Sequence, residues 1–362
     1  MKIVTVIGTR PEIIKMSPLF DLLDKNFEHK IIHSGQHYDP NLDKVIFREL
    51  KLKSKIKRLD TGSGNFGEQF AKQIQSIHAA MVKEKPDMVI VQGDTNTALA
   101  GALVAARMKV PVIHVEAGCR SGNLHAPEEQ NRILIDGIST LRLCPDEKTF
   151  NNLKKEGMLK NTTKVGSTTF DAIARSEKLA TEKTLKEYGL KAGNYVLCTL
   201  HRAENMDQLE GFKEKIAFLN WISTMIPVIF PIHPKTQKFL KQKKIHLSPF
   251  IRQTGPLPHL KFVALLRDCR LVVSDSGGIQ EEASHFDRPC LILRQETEWT
   301  RLVEAGKNFL FPSIGKKEKA LTKKLIEDDS FYGKVRAKKC RENISGASVK
   351  IVNAIKKYAK YG

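Results

Sequence analysis

One pattern recurs along this chain and limits its fold more than any single motif: a short apolar run that stops at a small, charged or histidine residue, followed by a helix-compatible stretch. Lys2–Ile7, Lys30–His33, Asp87–Gln92 and Val112–Val115 are such runs in the first half, and Tyr195–Leu200, Val228–Ile232 and Leu271–Ser274 in the second. Runs this short and apolar, regularly separated by helices, read as the buried strands of a parallel sheet covered on both faces. The clearest is Asp87–Gln92, stopped by Gly93 and Asp94 and followed by Thr95–Arg107, a small-residue helix suited to close packing. A charged, weakly apolar stretch at Ala172–Ala192 interrupts the alternation before it restarts. The pattern predicts an α/β protein of two Rossmann-like domains facing each other across a cleft, with a boundary near Ser167–Lys191. Residues 1–170 form the first domain, 171–340 the second, and 341–362 a C-terminal helix packing back on the first, with Lys334–Tyr361 all reading as helix. In such sheets ligands bind beyond the carboxyl ends of the strands, so the residues just after each apolar run are the candidates for function.

Composition removes several classes. At 362 residues and 41% hydrophobic, the chain can bury two cores and is too apolar to be a disordered tail. The start, Met1–Gly8, runs straight into Thr9, Arg10 and Pro11 with neither a basic leader nor a cleavage site, so it reads as a strand rather than an export signal. No stretch approaches the ~20 apolar residues of a membrane span. A cytoplasmic protein with no membrane partner is therefore expected. The cysteines, Cys119, Cys144, Cys198, Cys269, Cys290 and Cys340, stand singly, without metal or redox spacing, and read as reduced thiols. A net charge of +20 invites a nucleic-acid reading. The lysines are dispersed over segments such as Lys235–Lys244 and Lys316–Lys324, without interleaved aromatics to stack bases. A solvated basic surface that steers anionic substrates, with no nucleic-acid partner, is the better reading.

Among the strand-end turns, Gly62-Ser-Gly64-Asn-Phe-Gly67 matches a dinucleotide fingerprint but does not follow the first strand of a βαβ unit, so no nicotinamide cofactor is expected. Gly8-Thr9-Arg10-Pro11-Glu12 does follow the first strand, with Pro11 at a helix start and Lys15 one turn on. Free amides, the helix dipole and two cations there make an anion site, with Glu12 as a partner at the helix start. Its counterpart is Ser274-Asp275-Ser276-Gly277-Gly278 after Leu271–Val273. There glycines let backbone amides approach a phosphate, and Glu282, on the same face as Gly278, can accept ribose hydroxyls. Asp94, Glu116 and the Glu128-Glu129 pair stand at strand ends or turns, where partial burial suits a carboxylate to proton transfer. Asp94 could instead cap the helix that begins at Thr95. His201-Arg202 and His233 follow strands of the second half and can bind or protonate an anionic ligand. No His, Cys or Asp-x-Asp cluster has metal-ligand spacing, so no metal is expected.

Taken in order, these residues make the chain resemble the non-hydrolysing UDP-N-acetylglucosamine 2-epimerases. The resemblance spans essentially the whole chain. It rests on Gly8-Thr-Arg-Pro-Glu-x-x-Lys15, Gln36-His37, Gly93-Asp-Thr95, His114-Val-Glu-Ala-Gly118, Pro127-Glu-Glu-x-Asn-Arg132, His201-Arg202, His233-Pro234 and Asp275-Ser-Gly-Gly-Ile-Gln-Glu-Glu282. It implies a GT-B-like pair of Rossmann domains, a UDP-sugar substrate and no cofactor. It also implies a reaction: trans elimination of UDP with loss of the carbon-2 proton gives a glycal, and UDP re-addition follows with protonation from the opposite face. By the same resemblance Asp94, Glu116 and Glu128 are the acid/base set and His201 lies close to the reacting centre. Arg10, Lys15, Arg132, His233, Ser276, Gly277 and Gly278 hold the nucleotide sugar, Glu282 holds the ribose, and the protein is a homodimer. Which carboxylate removes the proton stays open.

Three departures bear on the substrate. Thr297-Glu298-Trp299-Thr300 stands where those epimerases usually show Thr-Glu-Arg-Pro, and looks more like the related 2-epimerases of UDP-2,3-diacetamido-glucuronic acid. Gly62–Gln69 lacks the Arg-Gln pair that in some bacterial members touches a second, activating UDP-N-acetylglucosamine, so activation of that kind does not carry over. Gly166-Ser167-Thr168 replaces Gly-Asn-Thr. The readings to separate are the UDP-N-acetylglucosamine epimerase, the diacetamido-uronate epimerase, a hydrolysing epimerase and a GT-B glycosyltransferase.

Overall fold

The structure, a computed structural model, describes residues 1–35, 40–62, 64–200, 208–297, 299–338 and 346–361. It divides into two compact units, Met1–Arg175 with Ile344–Gly362 (unit 1) and Ser176–Asn343 (unit 2).

Unit 1 begins β1 (Lys2–Ile7), α1 (Arg10–Asn26), β2 (Glu28–His33), α2 (Pro40–Glu49), β3 (Lys55–Arg58) and α3 (Phe66–Glu84). It continues β4 (Met88–Gln92), α4 (Asn96–Arg107), β5 (Val112–Val115), α5 (Pro127–Ile138), β6 (Leu141–Cys144), α6 (Glu147–Lys155), β7 (Thr162–Lys164) and α7 (Thr168–Leu179), which runs on into unit 2. Its strands form one parallel sheet in the order β3-β2-β1-β4-β5-β6-β7. Unit 2 carries α8 (Lys183–Glu187), β8 (Val196–Thr199), α9 (Leu209–Ile222), β9 (Val228–Pro231), α10 (Pro234–Gln242), β10 (Ile251–Thr254) and α11 (His259–Asp268). After these come β11 (Leu271–Ser274), α12 (Gly278–His285), β12 (Cys290–Ile292), α13 (Thr300–Glu304), β13 (Asn308–Leu310), α14 (Lys316–Glu327) and α15 (Asp329–Ala337). This second parallel sheet has the order β10-β9-β8-β11-β12-β13. Both units are thus α/β and Rossmann-like. Strand order reverses between β1 and β4 in one and between β8 and β11 in the other, the position where such sheets bind ligands.

The central strands are mostly apolar because both of their faces are covered; Ile3, Val4, Val6, Val89, Ile90, Val91, Val196, Leu197, Val272 and Val273 are all fully buried. The small residues of α4 have a steric cause: a Cβ added at Gly101 would lie 3.0 Å from the Val6 side chain, so only glycine lets α4 settle this close to β1. Strands β3, β6, β7, β10, β12 and β13 were not among the apolar runs. They are three or four residues long, and the exposed edge strand β3 carries Lys55, Lys57 and Arg58, a charge pattern that guards a sheet edge rather than marking a core.

The continuous helix expected over Lys334–Tyr361 is corrected. After α15, Lys338 turns extended (φ −64°, ψ 129°), and α16 (Ala347–Tyr361) starts anew after Gly346, whose φ of +104° no helix accommodates. Asp171 of α7 accepts from the amides of Gly346 and Ser348 at this start, and α16 packs on α1, with Lys356 Nζ 2.6 Å from Asn26 Oδ1. Among the described residues no helix is long and apolar enough to cross a membrane.

Candidate active site

In unit 1 the turn after β1 is built around a buried carboxylate. Gly8 has no room for a side chain, since a Cβ there would collide with Thr97 Oγ1. Arg10 opens α1 on the surface with Pro11 beside it, and Thr9 and Glu12 form the capping box. Glu12 Oε2 accepts from the amides of Gly8 (3.0 Å) and Thr9 (2.7 Å) and from Thr9 Oγ1 (2.8 Å). Its Oε1 accepts from Thr95 Oγ1 at 3.0 Å, which ties this turn to the one after β4. Burial pushes the Glu12 carboxyl above its ordinary value, and these donors oppose the shift without cancelling it.

The turn after β4 settles what Asp94 does for α4. Thr95 is the cap, accepting from the Ala98 amide at 3.0 Å, so capping does not occupy Asp94. The Asp94 carboxylate receives Arg132 Nη2 at 2.5 Å, and the Asp94 carbonyl receives Asn131 Nδ2 at 2.8 Å, both from α5. Arg132 also binds Glu129 Oε2 at 2.8 Å. Of the adjacent acids in the first turn of α5, Glu128 is exposed while Glu129 is buried and takes the amides of Ser121 (2.9 Å) and Gly122 (2.9 Å). Burial works to raise Glu129, but those amides and Arg132 outweigh it and leave the carboxyl below its ordinary range.

Glu116 follows β5 with φ +69°, a left-handed conformation that costs a non-glycine residue about 1 kcal/mol or more. This turns its side chain toward the neighbouring strand end, where a Cβ on Gly93 would stand 3.7 Å from Glu116 Oε2. Lys15 Nζ reaches both Glu116 oxygens, at 3.0 and 3.1 Å. Asp94 and Glu116, just past the ends of the neighbouring strands β4 and β5, are therefore each engaged by a cation, Arg132 and Lys15, beside the reversal point of the sheet. Cys119 has its thiol pushed up to about 12 by burial and by Glu116, which makes it a poor nucleophile.

In unit 2 the turn after β11 is made of main chain. Ser274 Oγ sits 2.7 Å from Thr199 Oγ1 and accepts from the Ser276 amide at 2.9 Å, which fixes the entry to Gly277 and Gly278. Among the described residues no side chain caps α12. Gly277 has an ordinary helical φ of −68°, and at Gly278 there is no strained φ and a Cβ would meet no described protein atom within 4 Å. Glu282 lies half-buried one turn along, and His233 Nδ1 accepts from the Lys235 amide at 3.2 Å as the cap of α10. Trp299 precedes α13 with the Arg301 guanidinium 5.1 Å from its ring centroid, and Arg301 Nη2 reaches Glu281 Oε1 at 3.1 Å. An arginine is thus present two positions after the one the sequence lacks. His201, Gln36, His37 and Glu298 lie outside the described residues.

Sequence reasoning missed the second function of Glu12 as a bridge to Thr95, the burial of Glu129, and a buried network of His114, Asp136 and Arg120 behind Glu116. The His-Val-Glu run puts His114 in β5 two positions before Glu116, a signal of proximity that was available; Asp136 has none.

Three comparisons bear on this arrangement. A family model described as UDP-N-acetylglucosamine 2-epimerase matches residues 22–356. The chain is 43% identical over 322 residues to the UDP-N-acetylglucosamine 2-epimerase of Methanocaldococcus jannaschii, covering 86% of this chain and 88% of that one. It is 35% identical to the UDP-2,3-diacetamido-2,3-dideoxy-D-glucuronate 2-epimerase of Pseudomonas aeruginosa, covering 92% and 96%. The crystal structure of the M. jannaschii UDP-GlcNAc 2-epimerase in complex with UDP-GlcNAc and UDP superposes with a TM-score of 0.81 at 40% identity, over 99% of this chain and 100% of that one.

Proposed function

The chain belongs to the UDP-N-acetylglucosamine 2-epimerase family and is a UDP-sugar 2-epimerase, and from that premise we propose that it interconverts UDP-N-acetylglucosamine and UDP-N-acetylmannosamine without hydrolysis. A carboxylate removes the carbon-2 proton while the bond from carbon 1 to the diphosphate oxygen breaks. The electron pair of that bond leaves with UDP, and the pair released at carbon 2 becomes the double bond of a glycal. UDP then adds back at carbon 1 as a proton reaches carbon 2 from the opposite face. Atoms and charge balance without an external oxidant or reductant, but the inversion requires two proton-handling groups.

Asp94, Glu116 and Glu128 are assigned to proton transfer, with His201 close to the reacting centre. Arg10, Lys15 and Arg132 stabilise the charge that grows on the leaving diphosphate. Gly277 and Gly278 present amides and the N-terminal dipole of α12 to the diphosphate, Ser276 adds its hydroxyl, Glu282 accepts the ribose hydroxyls, and His233 contributes to substrate binding. The single observation that carries the reading is the convergence of Asp94 and Glu116 on one strand-order reversal, each engaged by a cation that can also bind phosphate. A cytoplasmic homodimer completes the proposal; sedimentation should give twice the 40.8 kDa chain mass.

Incubation with UDP-N-acetylglucosamine in deuterated water, followed by proton NMR, tests it. Deuterium at carbon 2 of intact UDP-sugar is expected; free N-acetylmannosamine would mean hydrolysis, and an unchanged spectrum would reject this substrate. The second reading, 2-epimerisation of UDP-2,3-diacetamido-glucuronate, is favoured by Trp299 in place of arginine and is tested by the same assay with that nucleotide sugar.

A further inference from the structure

We propose that His114, outside the acid/base set, is a positioning residue that locks the turn bearing Asp94 and the turn bearing Glu116 into one arrangement; the inference rests on the epimerase reading. His114 is fully buried in β5, as is Asp136 in α5. The Nε2 atom of His114 is 2.9 Å from the carbonyl oxygen of Gly93, the residue before Asp94, and its Nδ1 is 2.7 Å from Asp136 Oδ1. A carbonyl oxygen only accepts, so Nε2 donates. Asp136 Oδ2 accepts from the Gly118 amide at 3.0 Å and from Arg120 Nη1 at 2.7 Å. Burial works to raise the Asp136 carboxyl, but His114 and Arg120 outweigh it and leave it below its ordinary 3.8, so Nδ1 faces a carboxylate and donates as well.

One ring therefore donates in two directions. Through Gly93 it fixes the main chain that leads into Asp94; through Asp136 it fixes Gly118, two residues beyond Glu116. The β4–β5 ladder is already complete, with Gln92 opposite Val115 and the Gly93 amide 3.0 Å from the Val115 carbonyl, so strand pairing does not need this tie. The tie acts past the ladder's end, where Glu116 holds a left-handed φ that persists only when its surroundings over-determine it. Gly118 closes the same turn at φ +79°, and a Cβ there would collide with the Thr149 carbonyl. Full burial of His114 and Asp136 leaves geometry, not proton exchange with substrate, as their contribution.

His114→Gln keeps a donor toward Gly93 and loses the one toward Asp136, His114→Asn does the reverse, and Asp136→Asn keeps the volume. Each full-length variant is compared with wild type by epimerisation in deuterated water, steady-state kinetics, UDP affinity and thermal melting. The expected result is kcat reduced about 10²-fold per folded molecule, with KM and the UDP Kd held within about threefold. Folded variants that keep wild-type kcat, or that lose activity only in proportion to their folded fraction, overturn the inference while the epimerase reading stands. Failure of all three to fold assigns the network to stability and overturns it equally. A wild type inert toward both UDP-sugars removes the epimerase reading and this inference with it.

Discussion

At the reversal point of unit 1, the turn after β4 carries a carboxylate, α4 is capped by Thr95, and Glu12, Arg132 and His114 cross-link neighbouring turns through side chains. At that of unit 2, the turn after β11 carries glycines, and among the described residues no side chain caps α12. Two sheets of nearly the same strand order thus equip the same location differently. The difference follows from what each half is proposed to handle. A carboxylate that moves a proton must be held in place by other charged and polar groups, whereas a diphosphate is best held by amides that no side chain of the protein has already claimed.

The largest expected effect lies on the side-chain half. Asp94→Asn should lower epimerisation about 10³-fold, or about 4 kcal/mol of barrier. The UDP Kd should hold, because the main-chain turn of unit 2 is untouched and Arg132 still has Glu129. Turnover close to wild type would show that Asp94 only anchors Arg132, and would end the division of labour.

Acid should separate the units next. Burial pushes His259 of unit 2 down to about 4, whereas His29 of unit 1, also lowered by burial, faces Asp24 at 2.7 Å, which pushes the other way. A histidine lowered in the folded state contributes stability that is present above its ordinary 6.5 and lost as pH falls through the folded value. The loss should reach about 3 kcal/mol by pH 4. Both tryptophans, Trp221 and Trp299, lie in unit 2, so their fluorescence follows that unit alone. Denaturation followed this way at pH 7 and pH 4 should show the loss, and His259→Gln should remove most of it. Identical pH dependence in the two proteins would refute the assignment.

UDP itself should act as an N-terminal cap of α12. At a hundredfold its Kd it should raise the stability of unit 2 by about 2.7 kcal/mol. Gly278→Val should abolish most of that gain while shifting the ligand-free transition by less than about 1 kcal/mol, because the position carries no strained φ and a Cβ there meets no described atom within 4 Å. A gain that survives the substitution would place the diphosphate elsewhere.

The sequence made some of this legible and hid the rest for identifiable reasons. β4 and β11 were readable because strands covered on both faces are apolar at nearly every position, and the turns that end them were readable in turn. The edge strands β3 and β7 were not, because three or four residues of which none is buried leave no apolar signature. Asp94 and Thr95 are both good capping residues, and only the backbone decides which one accepts from Ala98. Glu128 and Glu129 are alike in sequence, and the phase of α5 sends one to solvent and the other to Ser121 and Gly122. Asp136 stands 22 positions from His114, and nothing short of the fold pairs them.

The smallest effect examines how tightly the side-chain half is built. Thr95→Ala removes a helix cap, which should cost unit 1 about 1 kcal/mol, and it also removes one donor from the buried carboxyl of Glu12. Those two losses differ in pH dependence. A carboxyl raised in the folded state contributes most while protonated, below its ordinary 4.5, and that contribution falls as pH rises through the folded value. Since Thr95 is one of the donors that lower Glu12, the variant should raise it further and show a larger deficit at pH 7 than at pH 4. Only the cap should be missing at the lower pH. Helix content followed by circular dichroism during denaturation, with tryptophan fluorescence unchanged, would locate the loss in unit 1. A deficit independent of pH would mean that Thr95 serves α4 alone and that the turns after β1 and β4 are not coupled through Glu12.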